Sequence, residues 1–300
     1  MHDIVIVGAG PAGLTAAIYA RRAAKSVLVL EAMSYGGQII NTPDIENYPA
    51  APHISGYDLA TRIYEQAKEL GAEIVFEKAL GLEISEGVRT VVTKKNRYPA
   101  KAVILATGSQ NRKLGVEGED GFVGRGVSYC ATCDGAFYKK KTVAVVGGGN
   151  TALEDALYLA DLAEKVYLIH RRDQFRGDMA DVERLKKREN VKFVLNSRVK
   201  ALHGQKRLEK ITVADNSGIE TDLEIDGLFV AVGRIPENQN FGSVVALDGS
   251  GYIVAGEDCV TNVPGVFAAG DNRTKELRQL VTAASDGAIA ADRAVKFINQ

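Results

Sequence analysis

Residues 4–13 read IVIVGAGPAG: four β-branched residues, a glycine-rich turn, and the start of a helical pattern that runs through Arg22. Strand, turn and helix in this order raise a common G-x-G-x-x-G pattern to a dinucleotide fingerprint. Gly8 allows the tight turn, Gly10 lets the backbone approach a pyrophosphate, and Gly13 lets helix and strand pack closely. With Pro11 and Ala12 they open a helix whose free N–H groups face the phosphates. A second strand over 26–30 ends at Glu31, whose carboxylate can accept hydrogen bonds from ribose hydroxyls.

The arrangement recurs. Residues 142–152 read TVAVVGGGNTA, followed by a helical pattern through Leu162 and a strand over 166–169 that ends at His170. The first glycine and the end of the second strand lie 23 residues apart in both copies, 8 to 31 and 147 to 170. Each copy also closes alike. An apolar strand over 102–105 leads into Ala106, Thr107 and Gly108, and one over 228–230 leads into Ala231, Val232 and Gly233.

The polar stretch 234–240 reads as a link. Beyond it come strands at 251–254 and 266–268, then Gly270 and Asp271, then a helix over about 279–298. That tail is too short to bury a core alone, so it is expected to fold back onto the first domain. The expected fold class is α/β, with two Rossmann-like three-layer (ββα) dinucleotide-binding domains, the second inserted into the first. Residues 1–111 and 241–300 would form an FAD-binding domain, and 112–240 a nicotinamide-binding domain.

The second copy departs from the first where it matters chemically. Gly147, Gly149, Asn150, Thr151 and Ala152 repeat the loop, and alanine at the third glycine position is tolerated. Where the first copy has Glu31, this one has His170, Arg171 and Arg172, with Arg176 a turn later. A carboxylate there would repel a 2′-phosphate, whereas guanidinium groups bind it bidentately. That favours NADPH over NADH. The plainer alternative is a solvated basic helix start.

Between the copies lies Cys130-Ala131-Thr132-Cys133-Asp134. Two intervening residues permit a reversible disulfide of tunable thiol pKa. A zinc site needs four ligands, and only Cys259 and four scattered histidines remain, so no metal is expected. Asp134 can move a proton to or from a thiol, or simply cap a turn. Cys259 reads as a packing residue. The charges nearly cancel, 37 basic against 38 acidic, which points away from nucleic acid and anionic membrane. No apolar run approaches the roughly 18 residues that span a bilayer. Met1-His2-Asp3 runs straight into a strand, so a signal peptide is not expected and a cytoplasmic protein is.

Taken together, GAGPAG at 8–13, GGQ at 36–38, ENYP at 46–49, ATG at 106–108, CATCDG at 130–135, GGGNTA at 147–152, HRRDQFR at 170–176, GVFAAGD at 265–271 and RQL at 278–280 resemble the low-molecular-weight thioredoxin reductases over essentially the whole chain. The resemblance implies that Glu31, Ala32, Gly36, Gly37 and Gln38 hold the ribose and pyrophosphate region of FAD. Asn47 would lie near the flavin, with Ala106, Thr107 and Gly108 at the same cofactor. Gly270 and Asp271 would meet its ribityl–phosphate region. Arg278, Gln279 and Leu280 would bring a helix N-terminus to the flavin's pyrimidine edge, where positive potential stabilises the reduced anion. In the second domain Gly233 would join the NADPH loop. Cys133 would face the flavin, and Cys130 would attack the disulfide of thioredoxin. The resemblance also implies a homodimer, and a middle domain that rotates about crossings near 111–115 and 233–241. Residues 50–53 (AAPH) depart from the family, which usually has a glycine there.

Other readings use the same motifs. A related reductase would serve another thioredoxin-like or glutaredoxin-like partner. A small-molecule dithiol oxidase would not need the second nucleotide loop, and a ferredoxin-type NADP reductase would lack the cysteine pair.

Overall fold

The computed structural model describes residues 1–42 and 44–300. The chain forms two units, residues 1–110 with 235–300, and residues 111–234.

In the first unit five parallel strands lie side by side in the order Glu73–Val75, Val27–Leu30, His2–Val7, Arg97–Leu105 and Val266–Ala268. Successive side chains on a strand point to opposite faces. Ile4 and Ile6 therefore join one core with Leu14, Val29 and Ala290, while Val5 and Val7 join another with Leu30, Val91 and Phe241. A parallel sheet covered on both faces needs an unbroken apolar strand, which is why IVIV does not alternate with polar residues. The C-terminal helix Leu280–Ile298 packs on Pro11–Arg22 at close range. A Cβ on Gly287 would stand 2.2 Å from the Ala12 carbonyl oxygen, so glycine sets the approach.

Arg97–Leu105 changes neighbour along its length. Residues 97–100 pair antiparallel with Val88–Thr93, and 103–105 pair parallel with Val266–Ala268. Val88–Thr93 in turn pairs antiparallel with Ala79–Ser85.

The second unit repeats the plan. Val191–Val194, Lys165–Ile169, Thr142–Gly147, Gly227–Ala231 and Val127–Ser128 form a parallel sheet in that order. A separate antiparallel meander, Ser197–His203, Lys210–Asp215 and Glu220–Glu224, covers one face through Ile211 and Val213. The helix Asn150–Ala160 covers the other through Leu153 and Ala156. This is the expected fold class: two α/β dinucleotide-binding units, one inserted in the other.

Several expectations are corrected. Residues 251–254 form no strand; Ile253 makes only isolated bridges, to Leu247 and Arg273, because Asp248 folds this stretch into a turn by accepting from the N–H groups of Ser250 and Tyr252. The helix expected through Leu162 ends at Ala160. The stretch 234–240 is not a loose link. Arg234–Pro236 pairs with Ser109–Asn111 as a two-stranded ribbon, and Asn238 is buried, donating to the carbonyls of Gly251 and Asn272. The chain re-enters the first unit at residue 235. Among the described residues no helix is long and apolar enough to cross a membrane.

Candidate active site

The first glycine loop is closed by its neighbours. Gly8 has φ +107°, and a Cβ there would lie 2.2 Å from the Ala106 carbonyl oxygen. Gly13 is as tight, 1.9 Å from the Gly8 carbonyl. Gly10 differs: its open side meets only Gly37 at 3.8 Å, and no side chain caps the helix Pro11–Arg22 that starts there. The Gly36 N–H donates to the Ala9 carbonyl at 2.7 Å, so the GGQ turn lies against the loop, with Gln38 exposed. Glu31 closes the ring. Its Oε2 accepts from Ala9 N–H at 2.8 Å and its Oε1 from Met33 N–H at 3.0 Å, beside the exposed Ala32. Each oxygen keeps a second lone pair for a ribose hydroxyl. An uncapped helix start over a side-chain-free cradle, with a carboxylate 2.8 Å from the loop, fits FAD.

The remaining FAD candidates come from strand ends and the last helix. Thr107, between Ala106 and Gly108, donates its hydroxyl to Asn238 and accepts from the Asn272 amide at 3.0 Å. The Gly270 N–H, at the turn carrying Asp271, donates to Asp286 at 2.9 Å. Asn47 donates to Gln279 Oε1 at 3.1 Å, bringing together two candidates 232 residues apart. Gln279 caps the helix that Leu280 begins, with Thr282 completing a reciprocal capping box. Arg278 stacks its guanidinium over Tyr252 at 4.2 Å.

In the second unit, a Cβ on Gly147 would meet the Ala231 carbonyl at 2.4 Å, whereas Gly149 has nothing within 4 Å. The helix above it, entered by Asn150, Thr151 and Ala152, again lacks a side-chain cap, because its N-cap residue is Gly149; Asn150 Oδ1 accepts from Asp178 N–H. Gly233 has φ +111° and open space. Arg171, Arg172 and Arg176 are exposed at the end of the second strand. His170 is placed differently. Its buried ring lies directly under Gly148, stacks on Phe175 at 5.2 Å, and sets Nε2 against the Gln174 carbonyl at 3.1 Å. Burial, reinforced by the flanking arginines, lowers its pKa, so it stays neutral near pH 7. It supports the loop from below, and the charge is left to the three arginines.

Cys130 and Cys133 are joined in a disulfide, half-buried at the start of the short helix Ala131–Asp134. Burial raises the Asp134 carboxyl above the usual range, opposed by the Ser128 hydroxyl. That hydroxyl donates to Asp134 Oδ2 at 2.6 Å and accepts from Cys130 N–H at 3.1 Å. On the other side, buried Glu119 accepts from the Tyr129 phenol at 2.6 Å and from the Leu114 and Gly115 N–H groups at 3.0 Å. Ser128 and Glu119 were not singled out from the sequence. A serine two residues before a cysteine and one acid among several carry no local signal. Elsewhere Asp44, Glu46 and His53 set ligand atoms within 4.8 Å of one another at the surface, a grouping that needs no ion.

Two side-chain-free dinucleotide loops and a C-x-x-C disulfide define a nucleotide-linked disulfide reductase. The chain matches the pattern of the pyridine nucleotide-disulphide oxidoreductase family over residues 2–287 and belongs to that family. Thioredoxin reductases are among its relatives. That of Listeria monocytogenes is 42% identical, with 100% of this chain and 95% of that protein aligned. The crystal structure of thioredoxin reductase from Streptococcus pyogenes superposes with a TM-score of 0.95 at 40% identity, covering 100% of this chain and 98% of that one. Thioredoxin reductase from Giardia duodenalis gives 0.94 at 35%, covering 100% and 99%. The chain is an FAD- and NADPH-dependent disulfide oxidoreductase.

Proposed function

We propose that this enzyme passes electrons from NADPH through FAD to the Cys130–Cys133 disulfide and then to oxidised thioredoxin, acting in the cytoplasm as a homodimer. The observation that carries the reading is the closed Cys130–Cys133 disulfide beside a half-buried carboxyl, in the unit whose second strand is followed by three exposed arginines. Residues 1–110 and 235–300 would hold FAD, and residues 111–234 NADPH. Thioredoxin comes from the relatives' names, and the dimer from the family resemblance alone. The balanced charge and the absence of a long apolar helix among the described residues are compatible with the cytoplasm.

Bound FAD supplies a two-electron relay between nicotinamide and disulfide. The chain's own residues do the rest. Arg171, Arg172 and Arg176 bind the 2′-phosphate, Gly147 packs the turn against the Ala231 carbonyl while Gly149 leaves room for the pyrophosphate, and Glu31 orients the FAD ribose. Asp134 supplies the proton that a departing cysteine sulfur needs and takes it back as base. The Cys130 thiolate attacks one sulfur of the partner's disulfide, and the other sulfur leaves and is protonated. Cys133 then attacks the mixed disulfide, re-forming Cys130–Cys133 and releasing the partner as a dithiol. The family resemblance implies rotation of the middle unit, for which the ribbon at 109–111 and 234–236 is the natural hinge. A verified cross-link between the units should block turnover and spare one half-reaction; undiminished turnover would remove rotation from the mechanism.

The test is anaerobic. NADPH should bleach the flavin rapidly and NADH weakly, and oxidised thioredoxin should restore the yellow colour. If NADPH bleaches it but thioredoxin does not restore it, the partner is another thioredoxin-like or glutaredoxin-like protein. If neither nicotinamide bleaches it, the arginine segment has been misread and an oxidase becomes the better reading.

A further inference from the structure

The Ser128 hydroxyl has one hydrogen and two acceptors within reach: Asp134 Oδ2 at 2.6 Å and the Cys130 carbonyl at 3.3 Å. Its oxygen also receives the Cys130 N–H at 3.1 Å. Ser128 is buried at the end of the strand Val127–Ser128, so water does not replace these partners.

We propose that Ser128 is the positioning residue that lets Asp134 work as both acid and base, by turning its hydroxyl between the Asp134 carboxylate and the Cys130 carbonyl. When Asp134 is ionised, the shorter, charge-assisted bond wins and the serine hydrogen points to Oδ2. When Asp134 holds a proton, its own O–H donates to the serine oxygen, and the serine hydrogen turns to the Cys130 carbonyl. Both protonation states thus find a bonded partner, which a buried carboxyl otherwise lacks in its charged form. The switch also reports the state of Asp134 to the backbone of Cys130, the residue that must next act as thiolate. No atom is transferred to or from Ser128; the proton exchanged with a cysteine sulfur stays on Asp134 or leaves it.

Other titratable groups lie around Asp134. Tyr138 faces it, and its phenol is pushed up to about 12 by burial together with Asp134 and Asp226, so it remains neutral. Lys141 lies over the far ring of Tyr138 at 5.6 Å. Asp226 is engaged by the Thr142 N–H at 3.1 Å. Cys130 and Cys133 titrate only after reduction.

This rests on Cys130–Cys133 being the redox pair and Asp134 its proton carrier. The direct readout is infrared titration of the Asp134 carboxyl in the FAD-loaded, oxidised protein, its band identified as the one that Asp134→Asn lacks. Ser128→Ala should raise the midpoint by about one pH unit or more, roughly tenfold in ionised fraction, because the carboxylate loses its donor. Ser128→Thr, which keeps a hydroxyl, should restore it. The acid limb of thioredoxin-dependent turnover should move with the infrared midpoint. An unmoved midpoint in Ser128→Ala would overturn the proposal. If that variant does not fold, Ser128→Gly removes the same hydroxyl and decides in the same way. Full activity in Asp134→Asn would instead defeat the proton-carrier role, an outcome the infrared midpoint distinguishes.

Discussion

Glu31 Oε2 accepts the Ala9 N–H at 2.8 Å, so the carboxylate at the end of the second strand also fixes the loop that would receive the pyrophosphate. Replacing it therefore damages two things at once. Glu31→Gln presents an amide donor to one of two N–H groups, those of Ala9 and Met33, which both need acceptors. Its FAD dissociation constant should rise about tenfold or more, and that of Glu31→Ala further. Flavin fluorescence in the filtrate after ultrafiltration reads both. Undiminished FAD retention in Glu31→Ala would remove the residue from the site.

Asp286 holds the turn at Gly270, where FAD would bind. It is buried with Arg273 at 2.8 Å and Lys275 at 2.8 Å, and accepts the Gly270 N–H at 2.9 Å. Burial raises its pKa, but hydrogen bonds from Arg273, Lys275 and Gly270 outweigh that and hold it below the usual value. The stability this contributes is full above the unfolded carboxyl value of about 3.9, and is lost as pH falls through the lower native value. Asp286→Asn takes the carboxylate from Lys275 and leaves Arg273 with only Glu257, at 3.2 Å, and should cost about 3–5 kcal/mol at neutral pH. Urea unfolding at pH 7 and pH 3 checks both statements, with the difference from wild type shrinking at the lower pH.

Arginine and histidine in the same motif should behave differently. Ala at Arg172 or Arg176 should raise KM for NADPH about tenfold and leave NADH unaffected, because only the 2′-phosphate contact is lost. His170→Ala should impair both cofactors, since the ring fills the space under Gly148. Steady-state kinetics with the two nicotinamides separates the cases.

One open and one closed glycine give a further contrast. A Cβ on Gly149 meets nothing within 4 Å of protein and needs no unusual φ, so Gly149→Ala should fold normally and bind NADPH weakly. Gly8→Ala should destabilise the fold itself, since φ is +107° and the new methyl would stand 2.2 Å from a carbonyl oxygen. Thermal melts of the two variants, beside NADPH titrations, check the pair.

The legible parts of the chain were those whose chemistry repeats locally. Apolar strands, glycine turns and the residue at the second strand's end recur at fixed spacing, so the two nucleotide units and the switch from Glu31 to the arginines could be read directly. The antiparallel strands at 79–93 and 197–224 were missed because they are half-exposed and mix polar with apolar residues, so they offer no sharp period. At the disulfide, Cys130, Cys133 and Asp134 declare themselves by type and spacing. Ser128 and Glu119 act only through where folding places an oxygen. His170 was read by its charge, and the fold uses its ring.

The most direct test is a mixed-disulfide trap. Cys133→Ser, treated with thioredoxin activated as a mixed disulfide, should hold thioredoxin covalently through Cys130, with the linkage located by mass spectrometry after digestion. Cys130→Ser should form no such complex under the same conditions, and buried Cys259, whose thiol burial pushes up to about 12, should stay unmodified in both. A complex through Cys130 would establish the exit path of the electrons. A complex that forms equally well without Cys130, or none in either variant, would contradict it.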